Sequence, residues 1–142
     1  LAAGRGVTRL RPGPRDAAMR EARVCYNHLA GRVGVMLFQS LLTRELIRQA
    51  DENVTLTKEG AAFLTSFGID VDTLGKGRAV LCRTCLDWSE RRSHLAGSVG
   101  RALLARFEHL GWMRRDPKSR AILVSANGKA AFDAAFPVAN HP

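Results

Sequence analysis

The chain has 142 residues and a formal charge of +9, with 46% hydrophobic, 25% charged and 6% aromatic residues. This is a soluble globular composition, long enough for one ordinary domain or two small ones sharing a core of mostly Ala, Leu and Val. No apolar run within these residues nears the roughly 18 of a membrane helix and none forms a signal-peptide h-region, and three cysteines, an odd number, argue against a disulfide framework and suit a reducing cytosol.

Residues 1–14, LAAGRGVTRLRPGP, combine Gly, Pro and unopposed Arg without an apolar period, and read as a basic linker or arm. Residues 15–27 place Met19, Ala22, Cys25 and Tyr26 at helical spacing and predict a short amphipathic helix after Pro14. A helix follows from His28 to about Thr43–Leu46, its apolar face formed by Val33, Leu37 and Leu41 and widened by Phe38 and Leu42. Residues 46–56 predict two short strands about the turn Asp51-Glu52-Asn53, and Thr57 an N-cap for a helix through Phe67, with Gly68 as its stop.

Residues 75–77, GKG, mark a junction. A helix is predicted over about 78–90, with Val80, Leu81, Cys85 and Trp88 on one stripe. Another runs from 94 to 110, with Val99, Leu103, Phe107 and Leu110 inward. Residues 112–124 read as strand, turn at Asp116–Ser119, strand; Ser125 caps a last helix to about 135, and the tail from 137 to 142 holds two prolines.

The run HLAGRVG, His28–Gly34, returns as HLAGSVG, His94–Gly100. Self-similarity of this kind predicts two related halves, 15–74 and 78–136. The expected fold is α+β, mainly α, with two pseudo-repeated winged-helix-like halves in the order helix-helix-hairpin-helix. Each half is expected to bury its apolar face on the other.

The runs RDAAMREARVCYNHLAGRVG, LTKEGAAFLTSFGID and CLDWSERRSHLAGSVGRALLARFEHLGW resemble the C-terminal region of longer ArsR-type helix-turn-helix transcriptional regulators. The resemblance covers about Gly13 to Phe136. It implies a non-enzymatic, cytoplasmic, homodimeric regulator that reads DNA through a preceding N-terminal domain and responds to a small effector. The metal-box pattern of metal-sensing ArsR proteins does not occur here.

Three groups of residues are candidates for function. Cys25-x-x-His28 and Cys82-x-x-Cys85, with His94 nine residues after Cys85, form a thiolate-imidazole set of a type that binds zinc or another soft metal; the plain alternative is that Cys25, Cys82 and Cys85 are each a small buried hydrophobe. His28, Asp87, Trp88, Arg91 and His94 are candidates for an effector pocket, where an aromatic ring and an Arg can stack a planar ligand; the plain alternative is an anchoring Trp beside an ion-pair network. His28 and His94 hold matching positions in the two runs, which points first to matching structural roles. Arg101, Arg106, Arg114, Arg115, Lys118 and Arg120 gather on the second long helix and its hairpin. They carry the second reading, a direct DNA-binding winged-helix domain using 94–124, against a solvated basic face. No nucleophile, base and orienting residue fall together, so an enzyme is not expected, and no organic cofactor is implied.

Overall fold

A computed structural model describes residues 17–51, 53–77, 80–87 and 89–138. The basic arm at 1–14, Trp88 and the last four residues of the tail lie outside the described residues. A short helix α1 (Ala17–Glu21) leads into the hairpin β1 (Arg23–Cys25) and β2 (His28–Ala30). Helix α2 (Gly31–Thr43), the hairpin β3 (Ile47–Ala50) and β4 (Asn53–Leu56), helix α3 (Lys58–Ser66) and the short α4 (Val71–Gly75) follow. The chain then forms the hairpin β5 (Arg83–Leu86) and β6 (Ser93–Ala96), helix α5 (Gly97–His109), the hairpin β7 (Met113–Arg115) and β8 (Ile122–Val124), and helix α6 (Ala126–Ala135).

This architecture overturns the mainly α, winged-helix-like expectation. The fold is α+β with substantial sheet: a four-stranded antiparallel sheet in the order β3-β4-β5-β6 and two two-stranded sheets, β1-β2 and β7-β8. The order helix-helix-hairpin-helix is replaced by hairpin-helix-hairpin-helix, which the chain runs through at 23–66 and again at 83–135. The helices expected over 15–27 and 78–90 give way to strands from Arg23 and Arg83 onward. Their apolar residues do fall at helical spacing, but Val24, Cys25 and Thr84 are also strand-compatible, and three- or four-residue strands are too short to display alternation.

His28-Leu29-Ala30 and His94-Leu95-Ala96 are strands, and each helix starts only at the glycine that follows. Gly31 and Gly97 turn the chain from strand to helix with φ of +84° and +87°, a region that side-chain-bearing residues rarely enter. Three residues on, a Cβ on Gly34 meets the Leu29 carbonyl oxygen at 2.6 Å, and one on Gly100 meets that of Leu95 at 2.7 Å. These glycines let each helix fold back on the strand it has just left. The next neighbour beyond is the Cβ of His94 for Gly34 and of His28 for Gly100.

The two segments interleave. Helix α2 packs on β6 and helix α5 packs on β2. Strand β4 pairs with β5 at Asn53 and Arg83. Strand β1 meets the start of β8 through the Arg23–Ala121 bridge, with Val24 N–H donating to the Arg120 carbonyl at 2.9 Å. One apolar cluster takes in Leu29, Leu37, Phe38 and Leu41 together with Leu95, Val99, Leu103 and Phe107, all within 2% of complete burial. Phe107, Phe132 and Phe136 of the same cluster pack edge to face and in stacks with Phe63, Phe67 and Trp112, holding α3 and α6 against α5.

Candidate metal centre

The interleaving brings two hairpin ends together. In β1-β2, Cys25 stands opposite His28; in β5-β6, Cys85 stands opposite His94. Each hairpin therefore presents one thiol and one imidazole side by side, because directly opposed residues of an antiparallel pair share a face. The ligand atoms of these four residues all lie within 4.8 Å of one another. Both histidines are buried and both cysteines half-buried, so the group is walled by protein on the imidazole side and reachable on the sulfur side.

The imidazoles meet head to head. His28 Nε2 and His94 Nε2 are 2.9 Å apart, with ring centroids separated by 4.8 Å. The other ring nitrogens are also engaged: His94 Nδ1 lies 2.9 Å from Asp87 Oδ1, and His28 Nδ1 lies 3.4 Å from Asn27 Oδ1. A carboxylate only accepts, so His94 carries its proton on Nδ1 and turns the Nε2 lone pair toward His28.

Asp87 has no exposed surface and gathers donors from both segments. It accepts from the Gly31 N–H at 2.6 Å, the Ser89 hydroxyl at 2.9 Å and the Glu90 N–H at 3.0 Å, and faces the Arg23 guanidinium at 3.6 Å. Through Gly31 it caps the N-terminus of α2, a task that Ala30, at the local cap position, cannot perform. Arg23, itself only 3% exposed, also donates to the Met19 carbonyl and the Ser89 hydroxyl.

Burial disfavours the charged forms throughout. It lowers His28 to about 4, with the facing His94 adding to the effect. It also lowers His94, although Asp87 pulls the other way. Burial, then the neighbouring Cys25, raises the Cys85 thiol. For Asp87 burial is again the largest single effect and favours protonation, but the Gly31 and Glu90 N–H groups, the Ser89 hydroxyl and Arg23 together outweigh it and hold the carboxyl below its ordinary value.

The other sequence candidates are dispersed. Cys82 lies in the apolar core, 3% exposed, and burial pushes its thiol up to about 11; it is not a member of the group. Arg91 is exposed in the β5-β6 loop and donates its N–H to the Asp87 carbonyl. Arg101 and Arg106 line an open cleft of about 380 Å³ with Asp70, Thr73 and His109. Arg106 is engaged within the fold, donating to the Phe67 carbonyl at 2.8 Å and lying over the Phe67 ring. Arg115 pairs with Glu108 at 3.0 Å, while Arg114, Lys118 and Arg120 are exposed on the β7-β8 hairpin.

Sequence reading missed Arg23 and Asn27, and placed Cys82 in the soft-metal set beside Cys25, His28, Cys85 and His94, where the structure leaves it out. The signal present was the two-residue gap between Cys25 and His28 with Asn27 in it, a hairpin spacing that competes with a helical turn.

No family model matches the chain. No solved structure matches it. The chain is similar to the uncharacterized HTH-type transcriptional regulator YdfF of Bacillus subtilis (strain 168), with 45% identity over 112 residues, 79% of this chain and 50% of that protein. The chain thus spans about half the length of the curated relative it matches.

Proposed function

We propose that this chain is the effector-sensing and dimerisation region of an ArsR-type, DNA-binding transcriptional regulator, and that it is not an enzyme. The observation that carries the reading is the 45% identity with an HTH-type transcriptional regulator over a stretch that is half of that protein. In this reading DNA is the partner, read by the other half of such a regulator. The effector acts where the β1-β2 and β5-β6 hairpins meet, at His28, Asp87 and His94. A ligand there shifts DNA occupancy only by favouring one placement of the hairpins over another, which requires different affinity for the two.

The net charge of +9 gives the chain a sequence-independent attraction to phosphates. A mobility-shift titration of the chain tests the reading, using the DNA upstream of its own gene and a scrambled duplex. The expected result is weak, equal binding to both, lost by about 0.2 M salt as counterion release predicts. A salt-resistant complex with the upstream DNA alone makes this chain the DNA reader and overturns the proposal. Sedimentation is expected to give twice the chain mass of 15.5 kDa; a monomer removes the dimerisation part.

A further inference from the structure

We propose that Cys25, His28, Cys85 and His94 bind one Zn²⁺ ion in a tetrahedral site of two sulfurs and two nitrogens, clasping hairpin β1-β2 to hairpin β5-β6. The inference names the ligand of the site discussed above. It rests on the regulatory reading for its consequence on DNA, and not for metal binding itself.

The donor set is the first support. Two thiolates and two imidazoles in tetrahedral array suit zinc better than magnesium, calcium or square-planar copper(II). Geometry is the second. With metal–nitrogen bonds of about 2.0–2.1 Å, tetrahedral Nε2 atoms stand about 3.3 Å apart. The observed 2.9 Å widens to that by a few tenths of an ångström. No two of the four ligand atoms stand more than 4.8 Å apart, about 1 Å beyond the roughly 3.8 Å between two sulfurs bound tetrahedrally at about 2.3 Å.

The surrounding shell is the third support. Metal-bound histidines donate their remaining N–H to a carboxylate or carbonyl. His94 has Asp87 in that place and His28 has the Asn27 side-chain oxygen. Without metal, the His28 Nε2–H donates to the His94 Nε2; a bound cation takes the place of that proton, which moves to Nδ1 beside Asn27, and both Nε2 lone pairs then face the ion.

Charge balances as well. On binding, the two thiols release two protons to solvent, and Zn²⁺ with two thiolates is neutral. Asp87 is already paired with Arg23. A neutral centre avoids the cost of burying net charge.

Cobalt(II) substitution of the reduced, chelator-treated 142-residue chain tests the proposal. The expected result is one Co²⁺ per chain, displaced by one equivalent of Zn²⁺, with thiolate-to-cobalt charge-transfer absorption and the intense visible bands of a tetrahedral ion. The double variant Cys25→Ser, Cys85→Ser is expected to lose the charge-transfer band, whereas Cys82→Ser keeps it unchanged. His28→Cys, which preserves four ligands, is expected to bind Co²⁺ still, with charge-transfer intensity raised by about half as two thiolates become three. Absence of stoichiometric Co²⁺ binding by the parent chain overturns the proposal. So does a charge-transfer band that survives the double variant or disappears with Cys82→Ser. Because the readout is metal bound to the chain, failure of the regulatory reading leaves these results untouched, and a metal-free chain leaves the DNA titration untouched.

Discussion

Asp87 receives four hydrogen bonds and an ion pair while presenting no surface to water. Replacing it with alanine strands Arg23, uncaps α2 and frees His94 to rotate. A buried pair broken by loss of one partner costs about 3–5 kcal/mol, so Asp87→Ala is expected to lower the urea midpoint by that equivalent, with an unchanged slope. An Asp87→Asn variant keeps the shape and loses the acceptor charge. If zinc binds as proposed, its affinity is expected to fall about 10–100-fold, the usual effect of losing an outer-shell partner, while the tetrahedral cobalt spectrum is retained. Cys82 is a contrasting case: its role is packing, and alkylation of the folded, metal-free chain is expected to spare it while modifying half-buried Cys25.

At the scale of elements, two kinds of segment differ in how openly the sequence declares them. Helices α2 and α5 follow the apolar period, with Val33, Leu37, Leu41 and Val99, Leu103, Phe107 buried as expected. The hairpins β3-β4 and β7-β8 sit where turn residues predict them. Thr57 and Ser125 cap α3 and α6, each accepting from the N–H three residues on at 2.9 Å. Thr57→Ala is expected to cost about 1 kcal/mol for the lost cap, measured by chemical denaturation. The glycines that seat the helices give a sharper test. Gly34→Ala and Gly100→Ala force a Cβ onto backbone carbonyls and are each expected to destabilise by about 1–3 kcal/mol. Gly75→Ala has nothing within 4 Å of the added carbon and is expected to stay within about 0.5 kcal/mol of the parent. Equal midpoints for all three variants refute the close helix-on-strand packing.

At the scale of the whole molecule, burial of ionisable groups between the two segments makes stability depend on pH. In the metal-free chain His28 has its pKa lowered from 6.5 to about 4. The unfolded chain takes up that proton as pH falls through 6.5, and the folded chain only near 4. Across this window the unfolded state holds more protons, so stability declines as pH falls and is regained as it rises. The lowered His94 acts in the same direction. Asp87, lowered for its own reasons, contributes stability that is present above the ordinary carboxylate range and is lost as pH falls through its folded value. Urea midpoints are expected to drop between about pH 7 and about pH 5; a flat profile there means that both rings are solvated.

Periodicity, capping residues and turn chemistry are properties of neighbours along the chain, so the sequence by itself determined α2, α5, two of the hairpins, the caps of α3 and α6, and the paired HLAG runs. Residues 23–25 and 83–86 went the other way: their apolar spacing suits a helix, but pairing with β2 and β6, on which α5 and α2 pack, makes them strands. The same tertiary step joined His28 to His94, 66 positions apart, and set each beside a cysteine across its own hairpin. Cross-strand register and interleaved packing are long-range contacts, and no local pattern in the amino-acid order records them.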